Sequence, residues 1–286
     1  MFTPSSVSVA GGVAIPLPFV ADYSDDLRLA HVMADAADDV ATRRFRALDL
    51  RVETKPDLTP VSDADRLVEE SLRNTLKRAR PRDAIHGEEY GRTGYGPRCW
   101  VIDPIDATKN YVRGVPVWAT LIALMEGDEV VVGLVSAPAL NRRWWAARGG
   151  GAWTGRSLAK ATRCRVSGVT ELEDASFSYS SLSGWEEQGR LENFLDLSRT
   201  VWRTRAYGDF WSHVMVAEGV VDVSAEPEVS LWDVAALQII VEEAGGVFTD
   251  LSGVPSPDGG SVVCSNGLLH AKALEQLGGG PLTLRV

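Results

Sequence analysis

Cys99-Trp100-Val101-Ile102-Asp103-Pro104-Ile105-Asp106-Ala107-Thr108 is the stretch on which the reading of this chain turns. Its first four residues form a short apolar run of strand-forming character, and Asp103-Pro104 predicts that the strand stops abruptly there. A turn at Pro104-Ile105 then brings Asp106 beside Asp103 and leaves the Ile105 carbonyl oxygen facing the same space. From residue 107 a helix is expected, whose first N–H groups lack intrahelical partners and so suit a phosphate. Carboxylate and carbonyl oxygens gathered in this way are the donor set of a hard divalent cation such as Mg²⁺. An Asp-Pro pair alone is usually only a turn, so the reading needs support from elsewhere in the chain.

Two other clusters supply it. Gly87-Glu88-Glu89 lies upstream and Trp232-Asp233 downstream. Alone, the glutamates read as a solvated pair and Asp233 as a helix cap. Together with Asp103 and Asp106 they read as a cradle for two cations, which activate water and stabilise the leaving oxygen in phosphoryl transfer.

Around these clusters, Leu27, Leu29, Val32, Met33, Ala36, Ala37 and Val40 recur at helical spacing and predict a long amphipathic helix over 22–50. Ser62 or Asp63 is placed to cap a second helix running to Arg80. Strands are expected over 117–126 and 129–137, joined by Gly127-Asp128, and the antiparallel pattern continues through 143–147 and 151–153. Beyond about residue 172, strands over 176–179, 220–224, 247–249 and 262–264 alternate with helices over 185–199, 209–218, 231–244 and 267–277. The predicted organisation is a loose tail over 1–21, an α+β half over 22–172 and an α/β half over 173–286, forming one two-halved unit.

The chain has 286 residues, 45% hydrophobic and 24% charged, which is ordinary globular composition. Twenty-nine Lys and Arg against 39 Asp and Glu leave a net charge of −10, so no nucleic-acid partner is expected. A small phosphorylated ligand stays open, because a bound metal reverses the local field. Cys99, Cys164 and Cys264 are far apart and fit neither a disulfide framework nor a zinc site, which favours the reducing cytoplasm. The apolar stretch Val7 to Val20 is interrupted by Gly11, Gly12, Pro16 and Pro18 and has no basic residue before it, so neither a signal peptide nor a membrane segment is expected.

These motifs resemble those of the inositol monophosphatase family: G-E-E, D-P-[IL]-D-G-T, and W-D followed by an apolar helix ending in A-G-G. Here they stand as Gly87-Glu88-Glu89, Asp103 to Thr108, and Trp232-Asp233 through Ala244-Gly245-Gly246; upstream, Lys55-x-Asp57 and Asp65-x-x-Val68-Glu69 match the family's first loop and helix. The resemblance spans about residues 22–275. It implies a layered α/β/α/β/α sandwich and Mg²⁺-dependent phosphomonoester hydrolysis with two to three ions. By the same resemblance, Glu88, Asp103 and the Ile105 carbonyl would hold one Mg²⁺, and Asp103, Asp106 and Asp233 a second. Asp65 would stand near a weaker third. Thr108, beside Glu88, would orient the attacking water, and the N–H groups of Ala107 and Thr108 would hold phosphate oxygens. The family is often dimeric, so a homodimer is expected.

One position departs from the pattern: Ala107 stands where the family almost always has Gly. At a helical φ the alanine is harmless; at positive φ its methyl costs about 1 kcal/mol or more. A catalytically weakened relative is therefore one reading of the chain. For the substrate, Tyr207-Gly208-Asp209-Phe210-Trp211-Ser212, Lys109 to Gly114 and the strand at Trp118 resemble actinobacterial-type histidinol-phosphate phosphatases. Glu226, seven residues before Asp233, matches the family's substrate-contacting glutamate. Asp209 and Glu226 would pair with a cationic leaving group, with Asp209 as a helix cap the plainer reading. An inositol phosphate or another sugar phosphate is the alternative substrate. His31, His86, His213 and His270 show no metal-ligand spacing and receive no catalytic role.

Overall fold

A computed structural model describes residues 22–56 and 58–280. The tail expected over 1–21, and Asp57 of the first loop, lie outside the described residues. The chain opens with helix α1 (Ser24–Arg44), hairpin strands β1 (Val52–Thr54) and β2 (Pro60–Ser62), and helix α2 (Asp63–Ala79). Ser62 caps α2: its Oγ accepts the Ala64 N–H, while the Asp65 side chain reaches back to the Ser62 N–H, a reciprocal capping box.

Strands β3 (Ala84–Gly87), β4 (Gly91–Thr93) and β5 (Arg98–Asp106) follow, then the short helix α3 (Thr108–Arg113). Next come β6 (Ala119–Glu126), β7 (Glu129–Ala137), β8 (Arg142–Ala147), β9 (Ala152–Ser157) and β10 (Lys160–Arg163). These strands make an eight-stranded sheet in the order β10-β9-β8-β7-β6-β5-β3-β4, antiparallel except between β3 and β5. The second half contains β11 (Ser176–Ser178), α4 (Ser183–Glu187), α5 (Leu191–Thr200), β12 (Arg203–Arg205), α6 (Asp209–Ala217) and β13 (Val223–Glu226). It ends with α7 (Leu231–Glu243), β14 (Val247–Thr249), β15 (Val262–Ser265) and α8 (His270–Gln276). Its five strands form a mixed sheet in the order β12-β11-β13-β15-β14.

Strand alternation decides the layers, because successive side chains face opposite sides of a sheet. In β5 and β6, Trp100, Ile102, Ile122 and Leu124 pack against Met33, Ala37, Val68 and Leu72 of α1 and α2. The alternate residues Val101, Leu121 and Ala123 pack against Val214, Val234 and Ile240 of α6 and α7, which also cover Val262 and Cys264 of the second sheet. On the far side of that sheet, Phe177, Val223 and Val263 meet Phe194, Leu197 and Leu274 of α5 and α8. The result is the expected α/β/α/β/α sandwich. Helix α7 lies between the two sheets, so all residues from Val234 to Val241 are buried and its apolar character runs all round. Gly133 of β7 permits that approach, since a Cβ there would overlap the Ala236 carbonyl of α7.

Four sequence expectations need correction. Strand β5 does not stop at Asp103 but runs through Asp106. Between the pairs Asp103↔Leu121 and Asp106↔Ala119 the register shifts, with Pro104 and Ile105 opposite Thr120 alone, a β-bulge in place of the expected turn. Proline lacks the N–H of a regular ladder, and the Pro104 carbonyl instead accepts the Thr120 hydroxyl at 2.8 Å. The helix expected over 185–199 divides into α4 and α5 around Gly189, whose φ is +65°. The strand expected over 220–224 begins at Val223, because Val220 and Val221 still donate backbone bonds to Met215 at the end of α6. The long helix expected over 22–50 ends at Arg44, and Arg46 has φ +60°.

Candidate active site

Glu88, Asp103, Asp106, Asp209, Glu226 and Asp233 line one cleft of about 950 Å³, whereas Asp65 is not among its lining residues. Each is delivered by the end of an element. Glu88 follows β3, and its N–H donates to the Ile102 carbonyl of β5. The turn that carries it is fixed from below by Glu69 of α2, which accepts the Glu89 and Tyr90 N–H groups and pairs with Arg73. Gly87 is required there, because a Cβ would overlap the Glu69 carboxylate. Asp103 and Asp106 stand on either side of the β5 bulge. Asp233 occupies the third position of α7, where one oxygen accepts the Ser230 N–H at 2.7 Å.

Oxygens of Asp103, Asp106 and Asp233 lie within 4.8 Å of one another. The Asp103 Oδ1 atom is buried with no hydrogen-bond partner. An orphaned anionic oxygen inside such a cluster is costly by itself, and it is the arrangement that a hard cation relieves. Burial raises the pKa of Asp103 well above the carboxylate range, with Glu88 and Asp106 adding to it; burial and then Asp209 do the same for Asp106. Asp233 is pushed up to about 7 by burial, against the Ser230 N–H. Asp65 rises to about 6 through burial, in spite of its bonds to Ser62. The donor set is thus hard, anionic and short of counter-charge, and it fits Mg²⁺.

Lys55, from the loop between β1 and β2, supplies one internal cation, 2.7 Å from Glu88 and 2.6 Å from Glu89. The Thr108 hydroxyl contacts the Ile105 carbonyl at 2.9 Å and Asp65 Oδ1 at 3.3 Å; its bonds run to these two groups and not to Glu88. Ala107 has φ +65° and ψ +46°, so the alanine occupies the left-handed region. Asp106 Oδ2 accepts the Phe210 N–H of α6 at 3.0 Å, which ties the two halves together at the cleft.

Helix α6 and strand β13 bring a second acidic group to the same cleft, near enough for Asp209 to act on the Asp106 carboxyl. Asp209 is the first residue of α6 and Gly208 its cap, so the capping role weighed for Asp209 is not the one it plays. Its φ of +50° is unusual for a non-glycine residue, and its N–H donates to the Ser180 hydroxyl at 2.8 Å. Burial and the neighbouring Glu226 raise Asp209 to about 7. Glu226 and Glu228 line the same cleft. Sequence reasoning missed His213, which is fully buried, lines the cleft and stands 3.1 Å from Glu226. Burial disfavours its imidazolium, but Cys264 and Glu226 outweigh burial and raise its pKa to about 10.

A family model described as "Inositol monophosphatase family" matches residues 22–279. The chain belongs to the inositol monophosphatase family. It is a phosphoric monoester hydrolase. A histidinol-phosphatase of Streptomyces coelicolor is 68% identical over 260 residues, covering 90% of this chain and 98% of that protein. A histidinol-phosphatase of Mycobacterium tuberculosis is 59% identical over 257 residues, covering 90% and 99% respectively. Among solved structures, the extragenic suppressor protein suhB of Bartonella henselae superposes with a TM-score of 0.81 at 28% identity, covering 89% of this chain and 98% of that one. The Thermotoga maritima IMPase gives 0.79 at 30% identity over 89% and 97%.

Proposed function

We propose that the chain hydrolyses L-histidinol phosphate to L-histidinol and phosphate in a Mg²⁺-dependent reaction of histidine biosynthesis. The observation that carries this reading is that the cleft holds a second acidic group, Asp209 with Glu226 on α6 and β13, in addition to the Asp103, Asp106 and Asp233 cluster. The identities of 68% and 59% to histidinol-phosphatases support the same substrate. A neutral polyol needs no second acidic group. An ester whose alcohol bears an ammonium and a protonatable imidazole does, because charge-assisted hydrogen bonds are stronger than neutral ones.

Glu88, Asp103, Asp106, Asp233 and the Ile105 carbonyl would hold the metal, with Asp65 near a further ion, for two to three in all. When bound, Mg²⁺ supplies Lewis acidity and charge neutralisation for attack of water on phosphorus. The chain's own groups set the geometry of that attack. The N–H groups of Ala107 and Thr108, at the head of α3, receive phosphate oxygens. The Thr108 hydroxyl, held between Asp65 and the Ile105 carbonyl, orients the water. Glu226 and Asp209 retain the cationic end of the leaving alcohol. No side-chain nucleophile is required. We place the enzyme in the cytoplasm as a homodimer, in keeping with three free cysteines and the family's habit.

Phosphate release from L-histidinol phosphate by the purified chain, before and after chelation, tests this reading. Turnover that stops on chelation and returns with Mg²⁺ is expected. Absent turnover, or turnover indifferent to the metal, overturns it.

A further inference from the structure

Of the four histidines, His213 alone lines the cleft. It projects from α6 toward β13, and only 1% of it is exposed. Both ring nitrogens have partners: Nδ1 is 2.9 Å from the Ser224 hydroxyl, and Nε2 is 3.1 Å from Glu226 Oε1. Ser224 and Glu226 are two residues apart on β13, so they share a face of the strand, and the ring spans them. The first turn of α6, just before His213, is equally fixed. Its Ser212 hydroxyl meets the Ser178 hydroxyl at 2.7 Å and accepts the Gly208 N–H at 3.0 Å.

Glu226 stands at the end of its strand with a long side chain that has several torsions to lose on binding. A carboxylate oxygen only accepts, so the Nε2–H of His213 donates to Oε1. That leaves the second oxygen of Glu226 for a ligand. We propose that His213 is a positioning residue: it holds Glu226 in the one orientation that receives a cationic substituent, and it thereby selects phosphomonoesters bearing an ammonium or imidazolium over neutral polyol esters. The chemistry is one of donor matching. With Oε1 engaged, the free oxygen of the Glu226 carboxylate only accepts, and ammonium and imidazolium groups are donors only, whereas a hydroxyl both donates and accepts. This inference rests on the reading of Asp209 and Glu226 as the cation-binding wall.

The test is the ratio of kcat/KM for L-histidinol phosphate to kcat/KM for glycerol 2-phosphate, a quantity that a general loss of stability or of metal leaves in place. His213→Leu is expected to lower the ratio about ten-fold, chiefly through KM for L-histidinol phosphate. His213→Gln, whose amide N–H can still donate to Glu226, is expected to keep it within about three-fold. Glu226→Gln should lower the ratio as well, and adding His213→Leu to it should lower it no further. A fall in Glu226→Gln with no fall in His213→Leu overturns the positioning role. An unchanged ratio in Glu226→Gln overturns instead the cation-binding wall on which the role depends. Should His213→Leu fail to fold, Ser224→Ala carries the test, because it releases the inner anchor of the ring. A fall of about three-fold is expected there, and an unchanged ratio refutes the positioning role.

Discussion

Replacing Ala107 by Gly isolates the one departure from the family motif. The residue sits at φ +65° and ψ +46°, half-buried, with its methyl against the cluster that contains Ile105, Tyr111 and Trp118. Three contributions enter. Relief of the left-handed conformation favours glycine by about 1–2 kcal/mol. Greater freedom of the unfolded chain disfavours it by about 0.4–1 kcal/mol. Losing a partly buried methyl costs up to about 0.8 kcal/mol. These offset one another, so the stability change is expected to stay within about 1 kcal/mol by urea denaturation. Because the alanine already holds the left-handed backbone, the direction of its N–H does not change. The kcat/KM for L-histidinol phosphate is therefore expected to stay within about three-fold of the parent. Ala107→Val, with a branched side chain in the same region, should lose both stability and rate. A gain of about a hundred-fold or more in Ala107→Gly, some 2.7 kcal/mol, would refute this reasoning and mark the chain as a weakened enzyme.

Two further outcomes follow from the same geometry. Asp106→Asn keeps an acceptor for the Phe210 N–H but removes a charge from the cluster, so kcat/KM should fall at least about a thousand-fold with little change in the Tm of the metal-free protein; retained activity contradicts the metal assignment. His270 is buried between Thr249 and Ser265, and burial lowers its pKa from 6.5 to about 4. Its contribution to stability is present above pH 6.5 and is lost as pH falls toward 4. Between pH 7 and pH 5 that loss amounts to about 2 kcal/mol, and His270→Asn, though less stable overall, should show a correspondingly shallower acid dependence in urea titrations. An unchanged dependence would show that His270 is not the titrating group.

Much of this molecule was legible in its sequence because local rules and tertiary structure agree. The Ser62 cap, the Gly127-Asp128 hairpin and helix α7 fall where their residue types place them. The cleft brings Glu88, Asp103, Asp106 and Asp233 to one place, as the three motifs suggested. The failures share a cause. Pro104 reads locally as a stop, yet a bulge lets β5 continue, and only the partner strand β6 makes that bulge favourable. Gly189 divides a helix whose apolar spacing runs on through it. His213 carries no spacing signal, because its partners lie 11 and 13 residues away on another element. The one hint was the Ser224–Glu226 pair, two apart in a strand and so on one face. The Thr108 contact with Asp65 spans 43 residues and the three strands β3, β4 and β5, beyond the reach of any local pattern.

Asp209 and Glu226 together are proposed to select a cationic ester. Initial rates of phosphate release from L-histidinol phosphate and from inositol 1-phosphate, each with saturating Mg²⁺, address it directly. A kcat/KM at least about a hundred-fold higher is expected for L-histidinol phosphate, in line with two charge-assisted contacts. Equal or better turnover of the inositol ester would contradict it.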